Sequence, residues 1–199
     1  MKRIQHRSIQ IIEATTPLDN LWESVALQEI LKMEGIWPVV TGIRLGWKTG
    51  FLAHLNNARA RFIHVCAHGD REGLLLGLFN RKVYPNDYSR ITGALRGRVM
   101  ILSACFVSKH RSQAWESIRA LQCDCLITPA ADIAFSDAAM FYLTFYWRLF
   151  SYRYADCLRN RDPSRLLLKK VTNAYAHAGR MTGLKNQFRL YQPIWRSIS

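Results

Sequence analysis

Two short runs constrain this 199-residue chain more than anything else in it. Residues 61–70, Arg-Phe-Ile-His-Val-Cys-Ala-His-Gly-Asp, are compact, partly β-branched and closed by a glycine. Residues 98–105, Arg-Val-Met-Ile-Leu-Ser-Ala-Cys, are the clearest strand in the chain. Near-continuous apolar runs of this length read as strands of a parallel sheet buried on both faces. Such a sheet needs helices on each face and crossovers between neighbouring strands.

The rest of the sequence supplies them. Residues 9–14 and 37–43 read as further strands, and an apolar stripe over 21–34 predicts a helix that stops at Gly35. Short helices are expected over 51–58 and 88–95, with a small hairpin arm near 74–79 and a turn at Tyr84-Pro85-Asn86-Asp87. A helix over 113–121 precedes a strand at 125–128, punctuated by Pro129. Residues 137–150 carry so many aromatic and apolar side chains that their helix is expected to be buried on most sides, Trp147 included. A helix over 164–179 and a closing strand over 187–191 complete the pattern. Strands alternating with helices predict one α/β domain over residues 1–199. Its architecture is a largely parallel sheet flanked by helices on both faces, a three-layer sandwich.

Charge is the conspicuous compositional feature, with 28 Lys and Arg against 14 Asp and Glu and a net +14. The excess is spread over both halves without a run of like charges, so nucleic-acid binding is possible but not favoured. Its densest stretch lies between Arg153 and Arg189. A chain that is 49% hydrophobic is no disordered polybasic tail. No apolar run suits a membrane span and no export signal follows the basic N-terminus, so a cytoplasmic protein with reduced thiols is expected. Five cysteines, an odd number, fit that expectation. Cys123-Asp124-Cys125 lacks the second ligand pair of a structural zinc site, and no metal or other cofactor is expected.

The chemistry gathers at two strand ends. In an open parallel sheet, functional groups collect where the C-terminal strand ends meet their loops. His68 closes one run and Cys105 the next. On adjacent strands they emerge on one rim, where an imidazole can take the proton of a thiol and generate a nucleophile. The amides of Gly69 and Cys105 are then candidate donors to an oxyanion. Asp132, after the following strand, is a candidate to line the pocket for a basic side chain, beside the plainer reading of a turn or capping aspartate. His64 is read as a sheet-packing residue, and Cys66 as buried on the opposite face from it. Asp137 is read as a helix N-terminal acid, and Lys109, His110 and Arg111 as a solvated loop.

His68-Gly69-Asp70 closing one strand and Leu102-Ser103-Ala104-Cys105 closing the next resemble the caspase-like cysteine peptidases, especially their bacterial CHAT-domain branch. Residues 126–129 are similar to that branch's strand and proline turn. Asp137-Ala138-Ala139 with Phe141, Phe145, Tyr146 and Leu149 is similar to its following helix, and Phe188, Leu190 and Tyr191 to its terminal strand. The chain departs from the branch at Phe106-Val107-Ser108, where an acid often follows the cysteine, and at Ala130-Ala131-Asp132. The resemblance implies a cysteine endopeptidase with a His68/Cys105 dyad acting on a protein substrate. It also implies a separate activating or sensor partner and a role in bacterial defence. The alternative is a catalytically weak caspase-like regulatory module, docking on a nucleoprotein complex through its basic surface.

Overall fold

The computed structural model describes residues 9–15, 23–42, 47–77, 81–91, 95–105, 111–151 and 163–193. A six-stranded sheet forms its centre, built from β1 (Ile9–Glu13), β2 (Val39–Gly42), β3 (Phe62–Cys66), β7 (Val99–Ser103), β8 (Cys125–Pro129) and β9 (Phe188–Tyr191). The spatial order is β2-β1-β3-β7-β8-β9, and within this sheet the described pairings are parallel except that of β8 with β9. A second, three-stranded antiparallel sheet joins β4 (His68–Gly69), β5 (Leu74–Leu76) and β6 (Arg81–Val83). The helices are α1 (Glu23–Met33), α2 (Lys48–Asn56), α3 (Arg111–Leu121), α4 (Phe135–Phe150) and α5 (Pro163–Thr182).

Period-two alternation sorts the central strands between two cores. Phe62, Val99, Ile101, Cys125 and Ile127 face α1, α4 and α5. Ile63, Val65, Met100, Leu102 and Leu126 face α2 and α3. The sheet is therefore covered on both faces, as the apolar runs of β3 and β7 require, since every residue of both strands is buried. The α/β sandwich expected from the sequence is the architecture observed.

Local chemistry sets the element ends. Gly35 adopts φ +73°, the amide of Ile36 donates to Leu31 O at 2.8 Å and that of Gly35 to Lys32 O at 2.9 Å. This paired closure is a Schellman ending, and glycine enters it without a Cβ penalty. On α4, Phe141 stacks on Phe188 of β9 at 3.7 Å between ring centroids, and Phe150 meets Phe62 edge-on.

Several expectations are corrected. The helix expected over 88–95 is instead a 3-10 turn at Pro85–Arg90, because Pro85 fixes its first residue and Asp87 Oδ2 accepts the Tyr84 amide at 2.8 Å. Trp147 is 47% exposed, outside the buried side of α4 that carries Tyr142, Tyr146 and Phe150. Cys66 lies on the same face as His64, not the opposite one, because two residues along a strand restore the same side. No helix among the described residues is long and apolar enough to cross a membrane.

Candidate active site

Strand register brings the two sequence-selected side chains together. β3 and β7 are adjacent and parallel, with Cys66 paired to Ser103. The Ala67 amide donates to Ser103 O at 3.1 Å, which carries the pairing one residue further. His68 and Cys105 each lie two residues beyond a strand end. They line one cavity of about 300 Å³ with Ala67, Ala104, Ser103, Glu23, Asp132, Ile133 and Phe135.

His68 leaves the central sheet as the first residue of β4 and is exposed. The small sheet braces it: His68 pairs with Leu75, Gly69 with Leu74, and Leu74 with Val83. Asp70 Oδ1 accepts the amides of Glu72 at 2.8 Å and Gly73 at 3.1 Å, and Lys82 Nζ lies 2.8 Å from Asp70 Oδ2. Desolvation alone raises the Asp70 carboxyl, but Lys82 and the two amides outweigh it and hold it below the ordinary range. Gly73 is required here, because a Cβ would sit 2.2 Å from Val83 O.

Cys105 is half-buried, and its thiol donates to Ile133 O at 3.7 Å. Burial pushes the thiol up, a hydrogen bond from the Ile133 backbone to the thiolate opposes that shift, and the neighbouring Asp132 carboxylate pushes it further up. The site at rest therefore holds a neutral thiol beside an acid. Asp132 itself is exposed, in the segment between β8 and α4. Asp137 stands in the first turn of α4, where a carboxylate meets the positive helix end. Residues 106–110, with Lys109, His110 and Phe106-Val107-Ser108, lie outside the described residues, as does residues 152–162 of the basic stretch.

A buried polar cluster backs the cavity, and the sequence reading did not find it. His64 is completely buried, with Nε2 2.9 Å from Glu23 Oε1 and Nδ1 3.0 Å from the Tyr146 hydroxyl. A carboxylate only accepts, so the His64 Nε2–H donates to Glu23. Ser103 Oγ donates to the other oxygen, Glu23 Oε2, at 2.7 Å. The available signal was His64 itself: a histidine inside an apolar buried strand needs a polar partner. Glu13 secures the adjoining turn by accepting from the Ser24 and Thr15 amides at 3.3 and 3.1 Å and from the Thr15 hydroxyl. Cys123 and Cys125 are free and buried, and burial pushes the Cys123 thiol up to about 12.

Comparison with solved structures finds the same fold in other proteins. The Arg-specific cysteine proteinase gingipain R superposes with a TM-score of 0.61 at 8% identity, over 92% of this chain. The complex of pro- and mature domains of Porphyromonas gingivalis RgpB gives 0.58 at 10% identity, again over 92%. The fold is the caspase-like fold of gingipain R. This chain spans 46% of each of those solved chains. No protein-family model matches the sequence, and no curated protein matches it.

Proposed function

We propose that the chain is a caspase-like cysteine endopeptidase with Cys105 as nucleophile and His68 as its proton-transfer partner. The observation that carries this reading is the delivery of both side chains into one cavity from neighbouring parallel strands. His68 takes the thiol proton as sulfur bonds to the scissile carbonyl carbon. The amides of Gly69 and Cys105 receive the developing oxyanion. His68 then returns the proton to the departing amine, leaving a thioester on Cys105. Water, deprotonated by His68, attacks that thioester, releasing the acid product and the free thiol. No metal or organic cofactor enters these steps.

Asp132 is the substrate-facing acid in this reading. Its carboxylate suits an Arg or Lys side chain before the cleaved bond, in keeping with the Arg specificity of one fold neighbour. The neutral resting thiol suits a site that a partner protein switches on, by drawing Asp132 away from Cys105. The CHAT-branch kinship, with a sensor partner and a defence role, belongs to the same proposal. The test is cleavage of a peptide library by wild type and by Cys105→Ala: only wild type should cut.

The protonated thiol also favours a second reading, a regulatory module of weak chemistry that docks through its basic surface. Failure of a thiol-directed electrophile to label Cys105, together with salt-sensitive binding to nucleic acid, would favour it.

A further inference from the structure

The polar cluster behind the cavity contains three kinds of metal-ligating group that the peptidase reading leaves unused. Glu23 comes from the first turn of α1, His64 from the middle of β3 and Cys66 from its last residue. Their ligand atoms, a carboxylate oxygen, an imidazole nitrogen and Sγ, all lie within 4.8 Å of one another. All three residues are buried, and among the described residues no other group of this kind forms. We propose that Glu23, His64 and Cys66 form a binding site for Zn²⁺ beneath the cavity floor.

The donor set selects the ion. A mixed oxygen, nitrogen and thiolate site suits borderline-soft Zn²⁺, whereas Ca²⁺ and Mg²⁺ demand oxygen ligands. Donors around a tetrahedral zinc stand about 3.3–3.8 Å apart. To reach that geometry the longest separation closes by up to about 1.5 Å and the 2.9 Å His64 Nε2–Glu23 Oε1 pair opens by about 0.4 Å. The charges also balance: the dication with one carboxylate, one thiolate and a neutral imidazole sums to zero, which a buried site favours.

The outer shell is already in place. Metal-bound histidines engage their second nitrogen, and metal-bound carboxylates are themselves hydrogen-bonded. His64 Nδ1 lies 3.0 Å from the Tyr146 hydroxyl, which can accept when the ring proton moves from Nε2 to Nδ1 on metal binding. Ser103 holds the second oxygen of Glu23 at 2.7 Å. Access is supplied by the cavity, since Glu23 and Ser103 both line it. A fourth ligand would be a water molecule admitted from the cavity.

The site stands whether or not Cys105 is a nucleophile, and its test removes the dyad first. The His68→Ala/Cys105→Ala variant, titrated with Zn²⁺ by calorimetry and with Co²⁺ by absorption, should bind one ion per chain. Its Co²⁺ complex should show thiolate-to-metal charge transfer. Adding Cys66→Ala should abolish that band and weaken Zn²⁺ binding at least 100-fold. Adding Tyr146→Phe should retain the band and weaken Zn²⁺ binding about 10–100-fold. Circular dichroism of the metal-free proteins establishes that each variant is folded. If Cys66→Ala does not fold, Tyr146→Phe and His64→Gln decide, the latter predicted to lose the ion. Absence of stoichiometric binding by the dyad-free protein, or an unchanged spectrum after Cys66→Ala, overturns the proposal.

Discussion

Cys66 and Ser103 are register partners on adjacent parallel strands, so the residues two places beyond each, His68 and Cys105, leave the sheet level with one another. The candidate dyad is thus a consequence of strand pairing: a slip of one residue would turn every side chain of one strand to the other face. The same register holds Ser103 against Glu23 and thereby joins the strand that presents Cys105 to α1.

The small sheet that carries His68 depends on Gly73. Gly73→Ala puts a methyl group against Val83 O, a backbone atom with little room to retreat. The expected cost is about 1–3 kcal/mol, as for other overpacked sites. Urea denaturation checks it, and an unchanged midpoint would contradict the close approach.

Cys105 should alkylate slowly at neutral pH. Its raised pKa keeps the thiol protonated there, so the rate with iodoacetamide should climb through the alkaline range, above the ordinary thiol value of about 8.5. Asp132→Asn removes a carboxylate that raises this pKa, so the profile should move to lower pH. Mass spectrometry of the Cys105 peptide across pH reads both effects.

Stability should fall in alkali. In the metal-free protein, burial holds Cys66, Cys123 and Cys125 protonated in the folded state well above their unfolded pKa of about 8.5. Above that pH the unfolded chain binds fewer protons than the folded one, so unfolding becomes easier as pH rises. The slope approaches about 1.4 kcal/mol per pH unit for each thiol. Between pH 7 and 10 the Tm should decline, and Cys123→Ala should flatten that decline.

Removal of the Glu23 carboxylate strands two buried donors, His64 Nε2–H and Ser103 Oγ–H. Glu23→Ala should cost about 1–3 kcal/mol for each donor left unsatisfied. Chemical denaturation measures it, with the exposed ion pair partner Glu29→Ala, expected within about 0.5 kcal/mol, as the control.

Much of the fold is legible in the sequence because the central parallel strands β3 and β7 are buried on both faces and so are written as continuous apolar runs. Gly35 is legible for a different reason, since a left-handed helix ending leaves few alternatives to glycine. The two- and three-residue strands β4 to β6 are too short to show a period, and only a hairpin arm could be read there. Glu23 escaped because its partner His64 lies 41 positions away, a relation made by packing and not by spacing. Within the site, His68, Cys105 and Asp132 were all visible as strand-end residues, and all three line the cavity. The neutral state of the Cys105 thiol was not visible, because it depends on burial and on the fold placing Asp132 beside it.

Whether Cys105 is a peptidase nucleophile is decided by one comparison. Wild type and Cys105→Ala, each confirmed as folded, are incubated with a peptide library rich in Arg and Lys, and new N-termini are counted by mass spectrometry. Wild type should cleave, with basic residues enriched before the cut, and the variant should not. Equal cleavage by both proteins would contradict that role for Cys105.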